Sequence, residues 1–189
     1  MCLLSIQTSF DGCASKPRLS GVHFPITSGF HTRLPTDQQH ILLWGDPRLT
    51  AIAEEWLRSH RYSELLIPPQ NLKTGSDRQA ALASAAKLNA EFALLLERVD
   101  TKEGTLLESH CETLFHTSVD IHGLSVEREE IVLRGRAHYP QCVERNDKIV
   151  RNLICQALAT AWGFRPSRQL EIPSHLACTT GQTAPTLNR

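Results

Sequence analysis

Long apolar runs are missing from this chain of 189 residues. Nothing in it approaches the roughly 20 consecutive apolar residues that a membrane-spanning helix needs. Charge of one sign is missing as well: 20 basic and 20 acidic residues cancel, and no block of like charge occurs. A nucleic-acid binder normally carries a basic face, so nucleic acid is not an expected partner. The six cysteines are too sparse for a disulfide scaffold and include no CxxC pair of the kind zinc sites use. G-x-S-x-G, Walker and G-x-G-x-x-G motifs are absent too, which removes the commonest esterase, nucleotide and dinucleotide readings.

What is present is the patterning of one folded domain. Apolar content of 41% suits a globular core at this length. The organising stretch is Asn146 to Phe164. Ile149, Leu153, Ala157 and Ala161 recur at i+4, and Val150, Ile154, Leu158 and Trp162 follow the same step. The two rows form one broad apolar stripe on a helix. Asn146 or Asp147 can cap its start, and Gly163 followed by Pro166 can end it. Lys148, Asn152, Gln156 and Thr160 are expected on its wet face.

The chain before that helix supplies strands. His40 to Trp44 reads as a buried strand, and Asp46-Pro47 opens a helix with Leu49, Ile52, Ala53, Trp56 and Leu57 facing a core. Glu64 to Ile67 is a second strand. Ser76-Asp77-Arg78-Gln79 is a capping-box sequence that starts an alanine-rich helix, with Asn89 as its left-handed terminator. Phe92 to Leu96 is apolar on both faces, as a central strand should be. Thr101 to Glu112 is polar and reads as a loop.

Two alternating segments follow, Thr113 to Val126 and Glu130 to Tyr139. In the first, Phe115, Val119 and Ile121 are apolar at odd positions, but Leu124 and Val126 are apolar at even ones. A change of parity near Gly123 predicts a β-bulge there. Leu124 and Val126 then oppose Leu133 and Ile131, and Asp120 faces Arg136. The expected fold class is α/β: a single domain with a mixed five-stranded sheet and three helices in the order β-α-β-α-β-β-β-α. Residues 38–166 form the domain. Residues 1–37 read as a signal-like remnant and flexible tether, with the stretch around Pro25, Gly29 and Pro35 an edge strand at most. Residues 167–189 read as a C-terminal tail.

Gly12-Cys13-Ala14-Ser15-Lys16-Pro17 resembles the junction at which bacterial lipoproteins are cleaved before a cysteine that takes up lipid. Phe10 and Asp11 depart from that pattern, and the alternative is an unprocessed N-terminus with an incidental cysteine. Several short words widen the resemblance: Trp44-Gly45-Asp46-Pro47, Leu88-Asn89-Ala90-Glu91-Phe92, Ser118-Val119-Asp120-Ile121-His122-Gly123, and the helix from Ala157 to Trp162. Over about Ile41 to Phe164 the chain resembles small bacterial envelope lipoproteins. Their domain is similar to that of the curli-secretion lipoprotein, the N-terminal domain of the Tol-system propeller protein, and the lipoprotein activators of penicillin-binding proteins.

The resemblance implies a non-catalytic docking or oligomerising module. It would be lipid-anchored through Cys13 at the periplasmic face of the outer membrane, with other envelope proteins or further copies of itself as partners. Unlike the curli channel, this chain carries no extra amphipathic hairpins from which a membrane barrel could be built.

Candidate chemistry is thin beside that reading. His110, Cys111, His116, Asp120, His122 and His138 contain metal-ligating types; His116, Asp120 and His122 share one strand face, and His138 could join them from across the hairpin. Same-face residues four apart lie roughly 13 Å from one another, too far to share an ion, so a solvated polar face is the plainer account. No metal or cofactor is expected. Arg134 and Arg136 could hold an anion, which makes a soluble anion- or metal-binding domain the alternative function. Cys111 beside His110, and Ser59 beside His60, are sequence neighbours that do not aim at each other, so no enzyme is expected. Cys155 and Cys178 form a possible disulfide that would pin the tail, with Cys142 as an alternative partner for either.

Overall fold

A computed structural model describes residues 25–68, 77–102, 114–140, 142–143 and 146–164. It contains three helices and one mixed sheet. The sheet has six strands, not five. They are β1 (Ile26–His31), β2 (Ile41–Gly45), β3 (Leu65–Leu66), β4 (Phe92–Thr101), β5 (His116–Ser125) and β6 (Glu130–His138). Their order across the sheet is β1-β6-β5-β4-β2-β3, with β2 parallel to β3 and β4 and every other pair antiparallel.

The added strand, β1, falls within the stretch expected to be tether. It pairs with β6 over its whole length, from Ile26↔His138 to His31↔Leu133. The turn formers that argued against it sit where an edge strand tolerates them. Pro25 lies just outside, and Gly29 faces the last helix so closely that a Cβ there would meet the Thr160 carbonyl at 3.0 Å.

Helix α1 (Pro47–Ser59) starts where the sequence places it, the Asp46 carboxylate accepting from the Arg48 N–H. Helix α2 (Arg78–Lys87) is capped by Asp77, whose carboxylate accepts from the Gln79 N–H. The capping-box reading had put the cap one residue earlier, on Ser76, which lies outside the described residues. Asn89 takes up φ 53°, the expected left-handed end. Helix α3 (Asp147–Ala161) is capped by Asn146, which accepts from the Ile149 N–H, and Gly163 has φ +78°.

The helices divide unequally between the faces. On one face α1 and α3 close a core of Trp56, Leu57, Leu153, Ile154 and Leu158 over Leu43, Leu94, Ile121 and Leu133. On the other, α2 alone packs Ala81 and Ala85 against Leu42, Trp44, Ala93, Leu95 and Leu124. Of the residues expected on the wet face of α3, only Lys148 is exposed. Gln156 is buried and Asn152 and Thr160 are half-buried, with Asn152 donating to Tyr139 Oη at 2.5 Å. The sixth strand widens the sheet beneath that flank and brings Gly29 under Thr160.

The β5–β6 register shifts between Gly123 and Leu124, where the bulge was expected. Its bearer is different. Gly123 pairs with Leu133 and Leu124 with Ile131, which leaves Val132 as the extra residue on β6. Leu124 therefore opposes Ile131 and not Leu133, and Val126 falls in the turn. Strand β5 keeps an unbroken register with β4 and never changes parity. Leu124 is apolar because α2 covers its face there, not because that face has turned over.

Candidate functional site

Beyond the reach of α2, the second face of the sheet is open among the described residues. Backbone pairing sets its side chains in three rows. The first runs Leu95, His122, Arg134, Phe30; the second Glu97, Asp120, Arg136, Ser28; the third Val99, Ser118, His138, Ile26. Leu95 at the start of the first row is still buried under α2. At the far ends Phe30 is 48% exposed and Ile26 51%, and Val99 on β4 is 38% exposed. These are three of the five exposed large hydrophobic residues among those described, the others being Ile67 and Leu88.

The rows carry a charge pattern across the strands. Acids stand on β4 and β5 (Glu97 and Asp120), and bases stand on β6 (Arg134 and Arg136). Asp120 and Arg136 meet as expected, Oδ1 to Nε 3.6 Å. Arg134 and Glu97 form no ion pair with any described residue. His122, between Leu95 and Arg134, is held below its ordinary pKa by burial first and then by the positive charge of Arg134; Asp120 and Glu97 oppose the shift, and Arg78 adds to it. His138 is lowered for the same leading reason, with Arg136 next and Asp120 opposing. Both rings are therefore neutral near pH 7.

The sequence-derived metal set is only partly brought together. Asp120, His122 and His138 share this face but occupy three different rows, about 6.8 Å apart along the strands. His116 lies at the far end of β5, where Nε2 stands 3.7 Å from Cys142 Sγ. Among the described residues no group of three or more His, Cys, Asp or Glu could hold a metal ion. His110 and Cys111 lie outside the described residues, as do Cys13 and Cys178. Cys142 and Cys155 are each disulfide-bonded. Sequence reasoning missed Ile26, Phe30, Glu97 and Val99 as parts of the face. The shortness of the alanine-rich helix was the available signal that this helix would cover only part of the sheet face.

A cleft of about 380 Å³ lies elsewhere, lined by Arg33, Gln39, Asn89, Glu91 and Glu127 among others. Its ionisable groups are engaged with partners. Arg33 and Glu127 stand 4.0 Å apart. Glu91 accepts the His40 N–H at 2.7 Å, and that bond is the chief reason its carboxyl titrates below the usual range.

No family model matches the chain, and no curated protein matches it. Among solved structures it is similar to the PelC dodecamer from Paraburkholderia phytofirmans. The TM-score is 0.50 at 14% identity, over 77% of this chain and 100% of that one. A point-substituted form of the same dodecamer in another crystal form matches with TM-score 0.50 at 13% identity, over 73% of this chain and 98% of that one. The likeness is one of fold.

Proposed function

We propose that this chain is a non-catalytic docking or oligomerisation module of a bacterial envelope. It belongs with the small lipoproteins that its sequence resembles, and a lipid on Cys13 holds it at the periplasmic face of the outer membrane. The observation that carries the reading is the sheet face that the described residues leave half-covered. A face that sets Ile26, Phe30 and Val99 beside ordered rows of charge suits contact with another protein. That its structural neighbours are dodecamers supports self-association as one form of that contact.

The test is photo-crosslinking in the native cell. A crosslinker at Val99 is expected to capture a protein, while one at Ile67, exposed at the other edge of the sheet, captures little. Equal capture at both positions, or none at either, would remove the docking face. The anchor is tested separately by intact mass from native membranes: wild type and Cys13→Ser differing only by the substitution would exclude lipidation. A second reading, anion binding on the same face, is favoured by the exposed guanidinium of Arg134, which has no ion partner among the described residues. Titration with inorganic phosphate while the Arg134 Nε–H resonance is followed decides it, and an unmoved resonance retires it.

A further inference from the structure

We propose that the open face closes on the same face of a second copy of this chain, about a two-fold axis, with Arg134 of each copy set against the partner's Glu97. The inference rests on the docking reading above and names the partner.

Three observations lead there. The face is charged in two columns of opposite sign, acids on β4 and β5 and bases on β6. Asp120 and Arg136 stand as an ion pair within the chain, 3.6 Å apart and without a hydrogen bond, and one anion, Glu97, and one cation, Arg134, have no ion partner among the described residues. A two-fold contact is isologous, so whatever one copy offers the other answers with the complementary group, twice per dimer. With the axis between the two sheets and oblique to the strands, the Glu97 and Arg134 positions of the two copies exchange. That brings Glu97 onto the partner's Arg134 and Val99 toward the partner's Phe30. The neutral His122 and His138 add no charge to disturb the match. Face-to-face packing of two sheets is an ordinary way to bury alternate residues.

The dimensions set the expected strength. Four strands and three rows make a patch of roughly 20 Å by 20 Å, about 400 Å² per copy, which is below the standard specific interface and in the range of weak, transient contacts. The contact is therefore weak in isolation and needs the highest soluble chain concentration to be measured.

The experiment uses the full chain in a Cys13→Ser background, which keeps acyl-chain association out of the readout. Sedimentation velocity compares the parent, Arg134→Glu, Glu97→Lys and an equimolar mixture of the two variants. Arg134 is exposed and Glu97 half-buried, neither substitution breaks an ion pair among the described residues, and unchanged circular dichroism and Tm verify folding. Each variant alone is expected to weaken self-association by about tenfold or more in Kd, since like charges then meet twice per dimer. The mixture is expected to recover it as a heterodimer. Weakening without recovery in the mixture would mean that Arg134 and Glu97 do not face each other across the contact, and overturns the proposal. Association untouched by either substitution places the contact elsewhere and overturns it while leaving the docking reading intact. A parent that stays monomeric throughout overturns it too; crosslinks from Val99 to another envelope protein would then identify the occupant and keep the docking reading.

Discussion

One face of the sheet is closed by α1 and α3 from β2 across to β1, whereas among the described residues the other is closed only where α2 reaches, and the two covers differ in kind. The first brings large side chains, with Trp56, Leu57, Leu153 and Leu158 fully buried. The second brings Ala81 and Ala85 on a helix of ten residues, roughly 15 Å long. Such a helix lies close to the sheet but spans too little of it. Strand β5 records the boundary in its own sequence: Asp120 and His122 are half-buried on the open part of the face, and Leu124, on the same side of the same strand, is fully buried beneath α2. Polarity along a strand therefore reports what lies above each residue, and not only which way it points.

The sharpest way to break that comparison is to remove side-chain bulk from each face in turn. Ile121→Ala empties a fully buried position under α1 and α3 and is expected to cost about 2–5 kcal/mol. Val99→Ala, on the open face, is expected to stay within about 0.5 kcal/mol. Urea denaturation of the two variants measures both, and similar losses would mean that the open face is covered after all. Next in size is Gly135→Ala. A Cβ there would stand 2.2 Å from the Ala157 carbonyl oxygen and 2.8 Å from Ala161 Cβ, so α3 must lift from β6, at about 1–3 kcal/mol, read as a fall in Tm.

The helix caps sharpen the same contrast at smaller cost. Asn146→Ala and Asp77→Ala each remove one side-chain bond to a free helix N–H, worth about 1 kcal/mol. Because α3 is packed against β1, β5 and β6, losing its cap should lower the Tm of the whole domain. Losing the cap of α2, which holds its sheet through Ala81 and Ala85 with the partly buried Ala80 and Leu82, should instead appear as faster hydrogen exchange confined to α2. Equal effects on Tm and on exchange would show the two helices to be held alike.

Much of the fold was legible because the decisive signals are local. The Asp46-Pro47 opening, the i+4 rows of α3, the Gly163 terminator and the doubly apolar Phe92 to Leu96 each follow from backbone or packing rules that act within a few residues. What was not legible depended on distant partners. Ile26 to His31 contains Gly29 and follows Pro25, and nothing nearby says that β6 will pair with it. Once it does, Gly29 comes under Thr160, so one missed edge strand also misplaces Thr160, while Asn152 is held by Tyr139 just past β6. The bulge was found from parity at Gly123 but assigned to β5, because a sequence pattern cannot distinguish a strand that slips from a face that changes cover. Of the site, Asp120, His122 and His138 were grouped correctly on one face. Its apolar rim was missed because Phe30 and Ile26 were read as tether.

The smallest effect is a pH dependence that separates the faces by charge. His122 and His138 both titrate below the ordinary 6.5 in the folded chain, for burial above all. The unfolded chain then binds more protons than the folded one in the window below 6.5, so stability falls as pH drops from there toward the folded pKa values. The groups facing His122 are Arg134, Arg78, Asp120 and Glu97, and those facing His138 are Arg136 and Asp120. Replacing both histidines by glutamine should flatten the decline in Tm between about pH 7.5 and 5.5, leaving only what other groups contribute. Glu91, lowered by its bond to the His40 N–H, acts in the same direction but only as pH falls below the ordinary 4.5 of a glutamate, so the two regions are resolved along the pH axis. If the open face closes on a second copy, burial of the rings deepens. The decline should then steepen with chain concentration, and a slope independent of concentration would locate the histidines outside any contact between copies.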